Sequence, residues 1–273
     1  MKHNSSRRPK FWPIILCVAT LALVATAIVN APVQAQTAKK ALPKIVLVHG
    51  AWADGSSWNA VIERLQKAGY RVTAVQLGLN SLDEDVKRVR DVISEEQFPV
   101  LLVGHSFGGT VITALGKDAP NVIGLVYVAA FAPDQGESMK SLTSAGPQPE
   151  SASALRPDKQ GNLWLDPDGF VKFFAPDVNE VQARVLDAVQ KPIAASELLE
   201  DQPLSDVAWK TLPSWYLVTE KDQMIAPDAQ RFMAQRMKAT ISSVSSSHVP
   251  MVSHPDVVAD LIMKAAQAIL TGK

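Results

Sequence analysis

Cysteine is almost missing from this chain. Cys17 is the only one in 273 residues, which excludes a disulfide scaffold and any thiolate cluster for zinc or iron–sulfur. Histidine is scarce as well. The five histidines form no spaced ligand set, so neither a metal nor an organic cofactor is expected. There is no surplus of positive charge: 27 Lys and Arg stand against 27 Asp and Glu. No Lys/Arg block follows the first dozen residues, which argues against a nucleic-acid partner. Internal repeats are absent, and the one biased tract is the serine-rich stretch 242–247 (SSVSSS). What is left is a chain 47% hydrophobic and 20% charged, a composition that builds a packed core and lies outside the disordered range.

The first 35 residues follow other rules. Lys2, Arg7, Arg8 and Lys10 make a positive start with no acidic residue beside them. Residues 14–29 are an apolar run, and Val33-Gln34-Ala35 puts small residues at the −3 and −1 positions of a cleavage site. This is the layout of a secretory signal peptide. Residues 1–35 are therefore expected to be removed and the protein exported, periplasmic or secreted, with no membrane contact afterwards. An uncleaved anchor is the alternative, because the apolar run is long for such a segment. Ser6-Arg7-Arg8 also hints at twin-arginine export. Taking the leader's four basic residues from 27 leaves 23 against 27 acidic ones and no cysteine. Residues 36–273, read as one domain, must then rest on their core alone.

Along that domain, short β-branched runs alternate with helical patterns. Residues 44–48 (KIVLV), 71–77, 100–103 and 122–130 read as strands, the continuous apolar ones as strands buried on both faces. Residues 58–68 read as a helix closed by Gly69, and 81–97 as a helix opened by a Ser81/Glu84 capping box. This order predicts a mostly parallel sheet with helices on both faces. The rhythm breaks over residues 133–213, which carry many prolines and no strong strand. Only residues 177–189 look helical there, so a small helical lid is expected, inserted after the strand ending near Ala130. The alternation resumes with strand 214–219, helix 227–238, strand 239–244 and helix 255–271.

Gly104-His105-Ser106-Phe107-Gly108-Gly109 lies between a buried strand and a helix. It fits the nucleophile-elbow pattern G-x-S-x-G in its strand–turn–helix context. The turn must hold Ser106 in a strained conformation, and a side chain at Gly104 or Gly108 would strike neighbouring backbone. The hydroxyl is then presented at a helix N-terminus, whose free N–H groups favour developing negative charge.

With these residues the chain resembles the α/β-hydrolase superfamily, and within it the small plant and bacterial esterases related to hydroxynitrile lyases. The segments that carry the resemblance are HGAWADGSSW (49–58), GHSFGG (104–109), VYVAAFAPDQGES (126–138), TEKDQMIAPDAQ (219–230) and SHVPMVSHPDVV (247–258). It implies ester hydrolysis by a Ser-His-Asp triad. Of the five histidines, His3 is in the leader, His49 precedes the oxyanion loop and His105 neighbours the nucleophile. His248 matches the family's histidine in the loop after the last strand, while His254, next to Pro255, reads as flanking the final helix. Asp222 matches the family's acid, with Asp134 as the alternative that some members of the fold use. Glu220 reads as a surface ion-pair partner. The resemblance puts the oxyanion hole at the backbone N–H groups of Ala51 and Phe107.

The mechanism implied is acyl transfer through an acyl-enzyme, with a short-chain or aromatic carboxylic ester as the small-molecule partner. Trp52 and Trp58 would either floor the acyl pocket or pack the first helix on the sheet. Trp164, Phe170, Phe173 and Phe174 would either line that pocket or pack the lid on the body. The related cyanohydrin lyases carry threonine where this chain has Gly50 and lysine where it has Val249, and both departures favour hydrolysis. A cofactor-free perhydrolase, or a non-catalytic small-molecule binding protein on the same fold, would keep the same residues.

Overall fold

The run KIVLV forms β1 (Lys44–Val48), whose last four residues are buried. A computed structural model describes residues 41–146 and 148–272; the expected leader 1–35, its cleavage site and Cys17 lie outside the described residues. After β1 a 3-10 turn leads into α1 (Asn59–Lys67). Gly69, at φ +88°, closes this helix as the sequence predicts. Next come β2 (Val72–Val75), α2 (Leu82–Ser94), β3 (Val100–His105), α3 (Phe107–Ala114) and β4 (Val122–Val128). Ser81 caps α2 by accepting the Glu84 N–H at 3.3 Å, which is the forward half of the expected capping box.

The stretch 133–213, after β4, departs from the expected helical lid. It contains α4 (Met139–Ser144), β5 (Leu155–Pro157), β6 (Asn162–Leu165), α5 (Pro167–Gly169), α6 (Glu180–Ala188), β7 (Ile193–Ala194) and α7 (Ala195–Leu199). A π-helical turn, Phe170–Phe174, follows α5. The three strands pair antiparallel in the order β5-β6-β7. They are two to four residues long, too short to print a period-two pattern that sequence reading could find. Helix α6 starts at Glu180 rather than 177, because Asn179 is its cap and Asp177 is engaged elsewhere.

The main sheet resumes with β8 (Ser214–Thr219), α8 (Pro227–Arg236) and β9 (Thr240–Val244), and the chain closes with α9 (Pro250–Ser253) and α10 (Pro255–Thr271). Strand order is β2-β1-β3-β4-β8-β9, with every neighbouring pair parallel. Residues of β3 and β8 are buried throughout, as central strands covered on both faces must be. The edge strand β9, largely exposed, is polar (TISSV). From β1 the chain steps outward to β2 and then crosses back to β3 on the other side of β1. The loops leaving β1 and β3 therefore diverge and open a crevice at their C-terminal ends, the usual ligand site of such sheets.

His49 fixes one wall of that crevice. Its Nε2 accepts the Leu77 N–H at 3.0 Å and its Nδ1–H donates to Gly50 O at 2.9 Å. Burial pulls its pKa from 6.5 down to about 4, so the folded chain holds the ring neutral. Between those two values the unfolded chain takes up a proton that the fold refuses. Stability is therefore complete above pH 6.5, falls as pH drops toward 4, and levels off below, a loss of ~3 kcal/mol at most from this group. Urea unfolding across that window should show the fall, and His49→Gln, which can make both bonds without titrating, should show a shallower one. Equal slopes would contradict the assignment.

Candidate active site

Ser106 sits at the junction of β3 and α3 with φ 52° and ψ −123°, the strained turn expected from its flanking glycines. Cβ atoms at Gly104 and Gly108 would lie 2.6 Å from Gly108 O and 2.5 Å from Val48 O. One at Gly109 would lie 2.3 Å from Phe131 O. The exits of β1, β3 and β4 thus meet backbone to backbone at this bend. Ser106 O secures it by accepting the N–H groups of Gly109 at 2.9 Å and Phe131 at 3.1 Å.

Asp222 follows β8 and His248 follows β9. His248 Nδ1 lies 2.8 Å from Asp222 Oδ2 with both side chains buried. The carboxylate is held from every side. Oδ1 accepts the N–H groups of Met224 at 2.8 Å and Ile225 at 2.9 Å. Oδ2 also accepts from Thr219 Oγ1 and Gln230 Nε2, each at 2.9 Å. With the Nδ1 proton shared with Asp222, the free lone pair of the imidazole is on Nε2. That atom is buried and makes no hydrogen bond, to Ser106 or to any other described group.

Ser106 and His248 line one cavity of about 850 Å³ together with Ala51, Trp52 and Phe107, a volume typical of small-molecule sites. Phe107 opens α3, where the first N–H groups have no partner within the helix. Trp52 takes a positive φ of 56°. It is tied to the insertion through its N–H to Lys191 O at 3.0 Å and its Nε1–H to Leu163 O at 2.9 Å.

The remaining expected residues separate clearly. Asp134 pairs with Lys210 at 2.6 Å and has no part in this cluster. Glu220 pairs with Arg231, and His254 flanks α10 with its Nδ1 on Ser253 Oγ at 2.9 Å. Of the two tryptophans weighed for the pocket, Trp52 lines it, whereas Trp58 is buried edge-on to His105. Trp164, Phe170, Phe173 and Phe174 are not among the residues around the large cavity; Phe170 and Phe174 instead pack on each other at 4.6 Å. Sequence reading missed Thr219 and Gln230 behind Asp222. It also missed the role of His105, whose Nε2–H donates to His248 O at 2.8 Å. Burial, with the neighbouring His248 imidazole, holds the His105 pKa well below the usual range and the ring neutral, against the opposing pull of that bond.

The crowding at the bend has a measurable cost. Gly108→Ala should lower Tm by ~10 °C, equivalent to ~3 kcal/mol for a domain of this size. Gly146→Ala, where an added Cβ meets nothing within 4 Å, should leave it within a degree or two of wild type, on the order of the effect of an ordinary surface change. Equal Tm values for the two variants would contradict the packing described.

The sequence profile of the α/β hydrolase family matches residues 45–261. Methylesterase 2 of Arabidopsis thaliana is 27% identical over 255 residues, covering 81% of this chain and 95% of the relative. The alpha/beta hydrolase nvfD of Aspergillus novofumigatus is 30% identical over 254 residues, covering 82% and 96%. A crystal structure of a pyrethroid hydrolase from Sphingobium faniae superposes with a TM-score of 0.72 over 84% of this chain and 98% of its own, at 22% identity, a likeness of fold. With a profile match that runs from β1 into α10 and a relative matched over nearly its whole length at 30% identity, the chain belongs to the α/β-hydrolase family.

Proposed function

We propose that the carboxylic ester hydrolysis of this enzyme runs through an acyl-enzyme on Ser106, with His248 as base and then acid and Asp222 as its orienting carboxylate. The observation that carries the reading is the 2.8 Å bond between His248 and Asp222 at the wall of the cavity that Ser106 lines. Ser106 Oγ attacks the ester carbonyl carbon while His248 Nε2 takes its proton. The oxyanion is received by the N–H groups of Ala51 and Phe107. His248 then passes the proton to the leaving alcohol, and a water repeats the sequence on the acyl-enzyme to release the acid.

The cavity supports a neutral substrate of some bulk. Phe131, Leu142, Met224, Phe232 and Met233 are among its walls; among the described residues no Lys or Arg lines it, and Asp228 is the one acidic residue that does. About 850 Å³ is more than a butyrate ester fills, so the aromatic half of the sequence expectation is favoured. The resemblance to proteins named methylesterase, and the fold shared with a pyrethroid hydrolase, support an ester as substrate. Hydrolysis is favoured over cyanohydrin cleavage at position 50. A Cβ there would stand 2.6 Å from Ser106 Cβ, leaving no room for the lyases' threonine unless Ser106 moves. The charged start, apolar run and Val33-Gln34-Ala35 site support export with removal of residues 1–35. The mass of the exported protein tests this, an intact leader being the contrary result.

Wild type should hydrolyse p-nitrophenyl acetate and Ser106→Ala should lose at least ~10³-fold in kcat. A wild type inert toward every ester tried would point to a binding protein on this fold. Asp222→Asn should lower kcat by ~10³ to 10⁴-fold with a small change in KM. Across an ester panel, kcat/KM should be higher for aryl esters than for long-chain triacylglycerols, and the reverse order would refute the substrate class.

A further inference from the structure

The His248 loop leans on the insertion. Ser246, Ser247 and His248 are all buried between the end of β9 and the start of α9, and the group that meets them is the carboxylate of Asp177. This residue lies in the turn between the π-helical segment and α6. Its Oδ2 accepts the Ser247 N–H at 2.9 Å and the Ser246 hydroxyl at 3.0 Å, and its Oδ1 accepts the Ser247 hydroxyl. Both donors of Ser247 therefore reach one carboxylate, one peptide before the imidazole, and its hydroxyl also lies 3.4 Å from Phe174 O. Three residues earlier in the same turn, the Phe174 ring stands edge-on to His248 with centroids 5.2 Å apart. Ser246 Oγ also meets Ser253 Oγ at 3.0 Å, and His254 Nδ1 lies 3.8 Å from Asp177.

We propose that Asp177 is a positioning residue through which the insertion fixes the His248 loop and so sets the place of the imidazole at the cavity wall. The inference rests on His248 being the base. Asp222 orients the ring from behind, whereas Asp177 orients the backbone that carries it. Burial pushes the Asp177 carboxyl up, but the hydroxyls and N–H of Ser246 and Ser247 outweigh it and hold the group below the ordinary carboxylate range. It is therefore a charged acceptor at working pH, and charge-assisted bonds of this kind are the stronger ones.

Asp177→Asn tests the assignment, because it keeps the size of the side chain but turns one acceptor into a donor facing Ser246 and Ser247. The expected result is a kcat for p-nitrophenyl acetate lower by about tenfold or more with KM within about twofold. The low-field proton signal of the His248 Nδ1–H, read by NMR on protein with nitrogen-labelled histidine, should weaken through faster exchange with water. A folded variant with wild-type kcat and an unchanged signal would overturn the proposal, and so would a raised KM at constant kcat. If Asp177→Asn does not fold, Ser247→Ala, which removes one of the donors, is read by the same two measurements and should move them in the same direction. Should wild type turn over no ester, the NMR signal still decides. Its loss in the variant would uphold the positioning role while the hydrolase reading falls.

Discussion

The backbone carbonyls of Val48, Gly108 and Phe131 crowd the bend that carries Ser106, and the rest of the site is arranged around the space they leave. Each would lie within 2.6 Å of a Cβ added at one of the three nearby glycines. Backbone at that distance cannot relax cheaply, so the sequence at the bend is restricted to residues without a side chain. The strain in Ser106, at φ 52°, is held by the parallel strands on either side. Their buried, β-branched surfaces supply the apolar area that outweighs a local cost of order 1–3 kcal/mol.

Behind the histidine, polar groups are concentrated where water is excluded. Asp222 would be expensive to bury as a bare charge, yet five donors converge on its two oxygens. Gln230 serves the same end twice, donating to Asp222 Oδ2 and to Ile225 O at 2.8 Å. A carboxylate satisfied in this way stays in place and fixes which ring nitrogen of His248 carries the proton. The arrangement is all-or-none. Removing one member leaves several buried groups without partners, which costs more than the lost bond alone.

The elbow was legible in the sequence because its constraint is local: glycines two residues either side of a serine, between a buried strand and a helix. Asp222 and His248 were found through the family resemblance, which puts the acid and the histidine in the loops after the last two strands, with Asp134 left as the alternative acid. The short strands of the insertion were not legible, because two to four residues pairing across a fold leave no periodic trace. Gln230, His105 and Asp177 escaped for a different reason. Their partners lie 8, 143 and about 70 residues away; His105 and Gln230 stand inside the segments GHSFGG and TEKDQMIAPDAQ, but neither segment tells what their side chains hold, and Asp177 stands in no motif. Trp58 shows the same limit, since either of its two readings fitted the pattern and only packing decided between them.

Trp52 has a consequence for traffic into the cavity. Its main-chain N–H and its indole N–H both end on carbonyls of the insertion, and the next residue back is Ala51. An insertion that swung open as a rigid flap would tear both bonds and drag the floor of the site with it. Leu199 and Phe232 border the same cavity with 58% of their surface in water, so the chain already has a greasy doorstep that can be crossed while both bonds hold.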